Sequence, residues 1–157
     1  MRAEFSFLES IRKQFPALGK ESVKGIGDDA AVLQVGGPEY LLVTTDSLVE
    51  RVHFNFRWTG WEDLGWKALA VNLSDIAAMG GRPTFVFLTL ALPQHISDRN
   101  VSQFFKGFKK LAGRYSVQLL GGDTVSSRQD VVVHVTALGW GEPRQLKLRS
   151  QVRPGEL

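Results

Sequence analysis

Five aspartates stand where a carboxylate is hard to keep without a partner. They are Asp28 and Asp29 in Gly25-Ile26-Gly27-Asp28-Asp29-Ala30, Asp46 in Thr44-Thr45-Asp46, Asp75 in Asn72-Leu73-Ser74-Asp75, and Asp123 in Gly121-Gly122-Asp123-Thr124. Each borders a strand-like apolar run, a Gly-flanked turn or an apolar helix. Gathering them into one volume costs several kcal/mol in repulsion and desolvation unless cations intervene. An all-oxygen set selects hard divalent cations, magnesium first. Thr44 and Thr45 add hydroxyl ligands, and Gly121-Gly122 lets a backbone approach a phosphate closely. Asp75 carries the most weight, because Ala68 to Met79 is otherwise apolar except for Asn72 and Ser74. Asn72 and Asp75, three residues apart, share a helix face, which this reading directs at the acidic cluster.

Taken singly, these features have plain structural explanations: an Asp-Asp turn, a Thr-rich strand end, a buried Asp bonded to backbone, a Gly-Gly turn. The glycines at 25 and 27 superficially fit a dinucleotide fingerprint. That match fails, because the fingerprint needs a strand before it and a helix after it, whereas two carboxylates and a strand-like run follow here. No Walker-type lysine loop and no protein-kinase loop signature is present. His53, seven residues beyond Asp46, either contacts an anionic or polar substrate or packs; His95 and His134 read as structural. Trp58, Trp61 and Trp66 read as core or interface.

Composition narrows the class. A chain of 157 residues with 43% apolar and 22% charged residues supports one globular core. The absence of cysteine removes disulfides, thiolate metal sites and cysteine nucleophiles. The formal charge of +3 gathers at Arg12-Lys13, Lys106 to Lys110 and Arg144 to Arg153. Without interleaved exposed aromatics, this pattern favours a small anionic substrate over nucleic acid. No stretch has the composition of a signal peptide or a membrane span, which points to the cytoplasm and away from membranes.

The elements that must position the acids follow from periodicity. Phe5, Leu8, Ile11 and Phe15 predict a helix ended by Pro16 and Gly19. Ala30 to Val35 and Tyr40 to Thr45 predict a hairpin-like strand pair, with Asp46 just past its end. Thr59 and Glu62 have capping-box spacing for a helix running to Met79, where Gly80-Gly81 stops it. Phe85 to Leu92 is a strand ended by Pro93. Ser97 caps a helix whose apolar face is Val101, Phe104, Phe105, Phe108 and Leu111 or Ala112. Val117 to Leu120 is expected as a buried strand before the Gly-Gly turn, and Val131 to Trp140 as the last strand. Strands and helices mix without strict alternation, so the expected class is α+β rather than doubly wound. The polar tail ending Arg153-Pro154-Gly155-Glu156-Leu157 announces a turn followed by nothing and reads as cut. Residues 1–147 are accordingly read as the domain and 148–157 as the start of a linker.

Taken together in order and spacing, these motifs resemble the thiamine-monophosphate kinase family, along with Ser47-Leu48-Val49-Glu50, Val52-His53-Phe54 and Trp66 to Gly80. The likeness implies the ATP-binding superfamily of aminoimidazole ribonucleotide synthetase. With it come an N-terminal α+β domain, a mixed four-stranded-type sheet with helices on one face, and homodimerisation through the sheet into a shared barrel. It implies that Asp29, Thr44, Thr45, Asp46, Asp75 and Asp123 hold Mg2+, and it leaves the role of Asp28 open. It further implies that Gly122, Asp123 and Arg149 contact ATP and that His53 contacts thiamine monophosphate. The implied reaction moves the γ-phosphoryl of ATP onto thiamine monophosphate with no general base, completed by a C-terminal domain that this chain lacks. Two residues depart from the family pattern. Arg51 replaces a small residue or Gly, which either adds a phosphate contact or obstructs the site, and Phe105 lies where relatives use a tyrosine toward nucleotide. Two alternatives stand beside this reading: another superfamily member such as a selenophosphate synthetase, and a non-catalytic nucleotide-binding or dimerisation module.

Overall fold

The alternation of Val131, Val133, Val135 and Ala137, all buried, places one face of a strand against the core. The computed structural model, which describes residues 4–15 and 19–151, sets this strand at the centre of a six-stranded mixed sheet. The elements in order are α1 (Glu4–Gln14), β1 (Ser22–Lys24), β2 (Ala31–Leu33), β3 (Tyr40–Val49) and α2 (Trp61–Ala78). There follow β4 (Arg82–Pro93), α3 (Asp98–Tyr115), β5 (Gln118–Ser127), β6 (Val132–Gly141) and a short 3-10 turn, Arg149–Gln151. The spatial order is β1-β2-β3-β6-β4-β5, antiparallel except for the parallel β4–β5 pair joined through α3. The α+β class and the helices on one face are as expected. The sheet has six strands rather than four, because β1 and β2 extend the β3 edge as two short strands; β1 has three residues and an irregular register, too little to show as a periodic run.

Other boundaries also differ from the sequence reading. Asp46 is not past a strand end: β3 pairs residue by residue with β6 from Tyr40 to Val49, and that long-range ladder outweighs the poor strand propensity of Asp. The Gly121-Gly122-Asp123-Thr124 segment is not a turn but the middle of β5. β5 is exposed along almost its whole length rather than buried, because it is the sheet's outer edge. Thr59 does not cap α2. Gly60 takes that position without a side-chain bond, and Glu62 and Asp63 in the first turn offset the helix dipole instead. Ser97 does cap α3, in a reciprocal box with Asn100. Pro16, expected to end α1, lies outside the described residues, as does the Pro154-Gly155 turn.

α2 packs on β3, β6 and β4, and α3 packs on α2. The two helices approach closely at two glycines. A Cβ at Gly65 would sit 1.9 Å from the Phe104 carbonyl oxygen, and one at Gly107 would sit 1.8 Å from that of Glu62. Leu64, Leu69, Ile76, Phe104 and Phe108 fill the core. Among the described residues no helix covers the other face of the sheet, which carries Phe87 and Val125, both more than two-fifths exposed. Among the described residues no helix is long and apolar enough to cross a membrane.

Candidate functional site

Parity along β3 sorts the candidate residues. Thr44 and Asp46 are two apart and share the face that α2 covers, and Thr44 Oγ1 donates to Asp75 Oδ2 at 2.9 Å. Burial pushes the Asp75 carboxyl above the usual carboxylate range. The Asp46 and Asp29 charges push the same way, while the Thr44 bond and Arg149 oppose them. Asp29, Asp46 and Asp75 thus share an electrostatic neighbourhood. They do not form a closed cage: among the described residues no three acidic or His side chains stand close enough together to enclose an ion. Three carboxylates without a cation repel one another, and a guanidinium lies among them. Arg149 Nη2 pairs with Asp29 Oδ1, and the Arg149 backbone N–H donates to Asp28 Oδ1 at 3.0 Å.

Asp28 has a different part from its neighbour. Its side chain is 0% exposed, and the Lys24 ammonium stands 3.1 Å from Oδ2, close enough to pair although no directed hydrogen bond reaches that oxygen. This carboxylate is occupied in fastening β1 and residue 149 to the Gly turn.

Thr45 points to the opposite face of the sheet. Its hydroxyl lies within hydrogen-bond distance of the Val135 carbonyl, Thr136 Oγ1 and His134 Nε2, so its side chain is not brought to Asp75. His134 is half-buried, its Nδ1 2.8 Å from Ser47 Oγ. Asp123 is likewise not brought to the cluster. The register runs Asp123, Thr89, His134, Ser47, so Asp123 lies level with the end of β3 but on the uncovered face. Three interstrand steps separate it from β3, about 14 Å.

His53 sits in the turn after β3. Its Nδ1 accepts from the Val49 N–H at 3.0 Å, which leaves Nε2 carrying the proton, and its carbonyl accepts from Lys67 Nζ at 2.5 Å. Arg51 adopts φ 64°, a left-handed conformation that explains why a glycine suits this position, and its guanidinium pairs with Asp130 at 2.5 Å. The ion pair directs Arg51 to the β5–β6 connection.

Sequence and structure comparisons place this geometry. Residues 27–140 match the family model described as AIR synthase related protein, N-terminal domain. The chain belongs to that family. It is 41% identical over 155 residues to the thiamine-monophosphate kinase of Bacillus subtilis (strain 168), covering 98% of this chain and 47% of the relative. Among solved structures, AaThiL complexed with AMPPCP and TMP superposes with a TM-score of 0.84 at 33% identity, covering 98% of this chain and 47% of that one. The thiamine-monophosphate kinase of Stenotrophomonas maltophilia K279a gives 0.66 at 42% identity, covering 92% and 44%. The chain thus spans about half the length of the relatives it matches.

Within this family fold, two concavities flank the polar residues. One, of about 320 Å³, is lined by Leu88, Leu90, Phe105 and Gly121 to Thr124. Its wall requires glycine: Gly122 has φ 151°, and a Cβ there would lie 1.7 Å from the Leu88 carbonyl oxygen. The other, of about 280 Å³, lies between α1 and the Gly25–Asp29 turn, with Arg12 and Arg149 in its wall. A larger apolar groove of about 510 Å³ runs past Trp66 and Tyr115, with none of the five aspartates in its lining. Trp61 stacks on Phe56, whereas Trp58 is exposed. Sequence reasoning missed Lys24 and Lys67. Neither has a local signal, since each acts on a group brought near by a turn.

Proposed function

We propose that this chain is the N-terminal, magnesium- and nucleotide-binding part of a thiamine-monophosphate kinase, acting in the cytoplasm as a homodimer. The observation that carries the reading is the shared neighbourhood of Asp29, Asp46, Asp75 and Thr44 beside Arg149, in a chain so similar to proteins of that name. The donors are all oxygens, and the partly buried Asp75 carboxyl resists ionisation until a cation compensates, which suits Mg2+. Asp29, Thr44, Asp46 and Asp75 would hold the ion, which when bound neutralises charge on the transferred phosphoryl group.

The remaining work falls to the chain's own side chains. Arg149 contacts the triphosphate, and the Gly122 segment gives its backbone close approach to nucleotide. His53, fixed as an Nε2–H donor, orients the acceptor phosphate. That acceptor needs no general base, because a phosphomonoester with a second pKa near ~6 is already mostly a dianion at neutral pH.

Asp123 lies about three strands away from the acidic group and on the other sheet face, with Gly122 next to it in the same edge strand, so in this reading they meet it across a dimer. The exposed edge strand β5 and the uncovered face bearing Phe87 and Val125 favour such pairing. Thr45, on that same face, contributes from the interface side. The test is an acceptor assay of the full-length protein with ATP and Mg2+. Thiamine diphosphate formed from thiamine monophosphate supports the reading, and phosphoryl transfer to selenide instead would identify a selenophosphate synthetase.

A further inference from the structure

We infer that Lys67 is a further substrate-binding residue of this site, its ammonium contacting the phosphate of the acceptor beside His53. Lys67 is an exposed residue of α2, and its Nζ donates to the His53 carbonyl at 2.5 Å. An ammonium carries three N–H donors, so this bond leaves two for a ligand. No carboxylate neutralises the charge. Asp63, one turn earlier on α2 and spaced for an i,i+4 ion pair, does not take Lys67, which has no ion-pair partner among the described residues. The Arg51 guanidinium of the same turn is, by contrast, committed to Asp130.

The turn that Lys67 grips is itself fixed. The His53 N–H donates to the Val49 carbonyl at 2.8 Å, His53 Nδ1 accepts from the Val49 N–H at 3.0 Å, and the Arg51 N–H donates to the Phe54 carbonyl at 2.7 Å. The exposed His53 ring and the ammonium resting on its carbonyl therefore offer donors from one held segment. A phosphomonoester dianion has oxygens to receive both, and the bond from the ammonium is charge-assisted. The packing of α2 decides which phosphate this is. Along β3 and its turn, Leu42, Thr44 and His53 meet Gly81, Asp75 and Lys67 in that order, so the helix runs antiparallel to the strand. Lys67 thus lies eight residues, about 12 Å along the helix, from Asp75. The acids with their ion hold the triphosphate at one end of this stretch, and Lys67 with His53 holds the acceptor at the other. Two polyanions that repel each other are then each met by positive charge.

The inference rests on the reading of this chain as part of a thiamine-monophosphate kinase, and the experiment distinguishes their failures. Steady-state kinetics of the full-length protein are measured with thiamine monophosphate and Mg·ATP varied separately, alongside thermal unfolding. For Lys67→Met we expect KM for thiamine monophosphate to rise about 10–100-fold, with KM for ATP unchanged. Lys67→Gln keeps an N–H for the His53 carbonyl but no charge, and should share most of that loss. Lys67→Arg keeps the charge and should recover most of it, with all three variants melting close to the parent. If Lys67→Gln performs as the parent does, Lys67 serves only to pin the turn and the inference is overturned. A rise in both KM values together, or a fall in kcat alone, overturns it equally, since neither is loss of acceptor binding. Should Lys67→Met fail to fold, the Gln and Arg variants decide by the same criteria. If the parent itself forms no thiamine diphosphate, the kinase reading falls and takes the inference with it.

Discussion

Arg149 and Asp29 are 120 residues apart in sequence, yet the guanidinium of one pairs with the carboxylate of the other at the mouth of the acidic group. A positive side chain thus already stands where a divalent cation would bring its charge. The pair is half open to water, so it holds the C-terminal segment loosely. A cation bound to Asp29 competes with Arg149 and leaves it free to meet a phosphate.

Replacing Arg149 by Gln should therefore act in opposite directions on two ligands. Without nucleotide, Mg2+ binds the variant more tightly, since its competitor has gone. ATP binding in the presence of Mg2+ weakens by about 10–100-fold, the worth of a charge-assisted hydrogen bond. Calorimetric titration of each ligand against the full-length protein checks both signs, and parallel losses would remove the exchange argument.

Asp75 makes stability depend on pH and on the cation together. In the unfolded chain an Asp ionises near ~3.9, whereas burial raises the folded carboxyl. The folded state therefore keeps the proton across the window between the two values, and stability is lost as pH rises through it. Mg2+ requires the ionised form, so its protection should grow over the same window and vanish at the acid end. Asp75→Asn keeps an acceptor for Thr44 without the charge. It should raise the melting temperature of the metal-free protein at neutral pH while abolishing the increment from Mg2+, as read by scanning calorimetry.

The helix pair offers a test of packing alone. At Gly65 an added methyl collides with the Phe104 carbonyl of the facing helix, and neither backbone can yield without moving α3. Gly65→Ala should cost about 1–3 kcal/mol, lowering the melting temperature by roughly 2–10 °C, despite the better helix propensity of Ala. Gly113→Ala, where a Cβ meets nothing within 4 Å, serves as the control in α3 and should be neutral or stabilising.

Legibility in the sequence followed the range of the forces involved. The buried face of β6 and the Ser97 cap are local patterns, and both appear in the structure as read. Asp46 inside a strand and Gly122 inside an edge strand were illegible, because Asp and Gly-Gly signal turns locally while the pairing that overrides them comes from β6 and β4. The acidic residues announced themselves by type, but their partition between two faces did not. For Thr44 and Thr45 the period of two would have sufficed had β3 been known to continue. The separation of Asp123 needed the strand order, which no local signal carries. The pairing of Lys24 with Asp28 likewise depends on the path of a turn.

That separation yields the sharpest test of the dimer. If each active site takes Asp75 from one copy and Asp123 from the other, Asp75→Asn and Asp123→Asn are each inactive alone, yet their mixture is not. A heterodimer of the two variants has one site with both substitutions and one with neither. With random exchange half the dimers are mixed and half of their sites are intact, so activity should return to about a quarter of the parent. Were both residues supplied by the same copy, every site in every dimer would carry one lesion and mixing would restore nothing. The measurement is turnover after co-refolding the two full-length variants, with dimer mass verified by light scattering. Recovery well below the quarter, in samples shown to have exchanged, would place Asp123 outside the shared site.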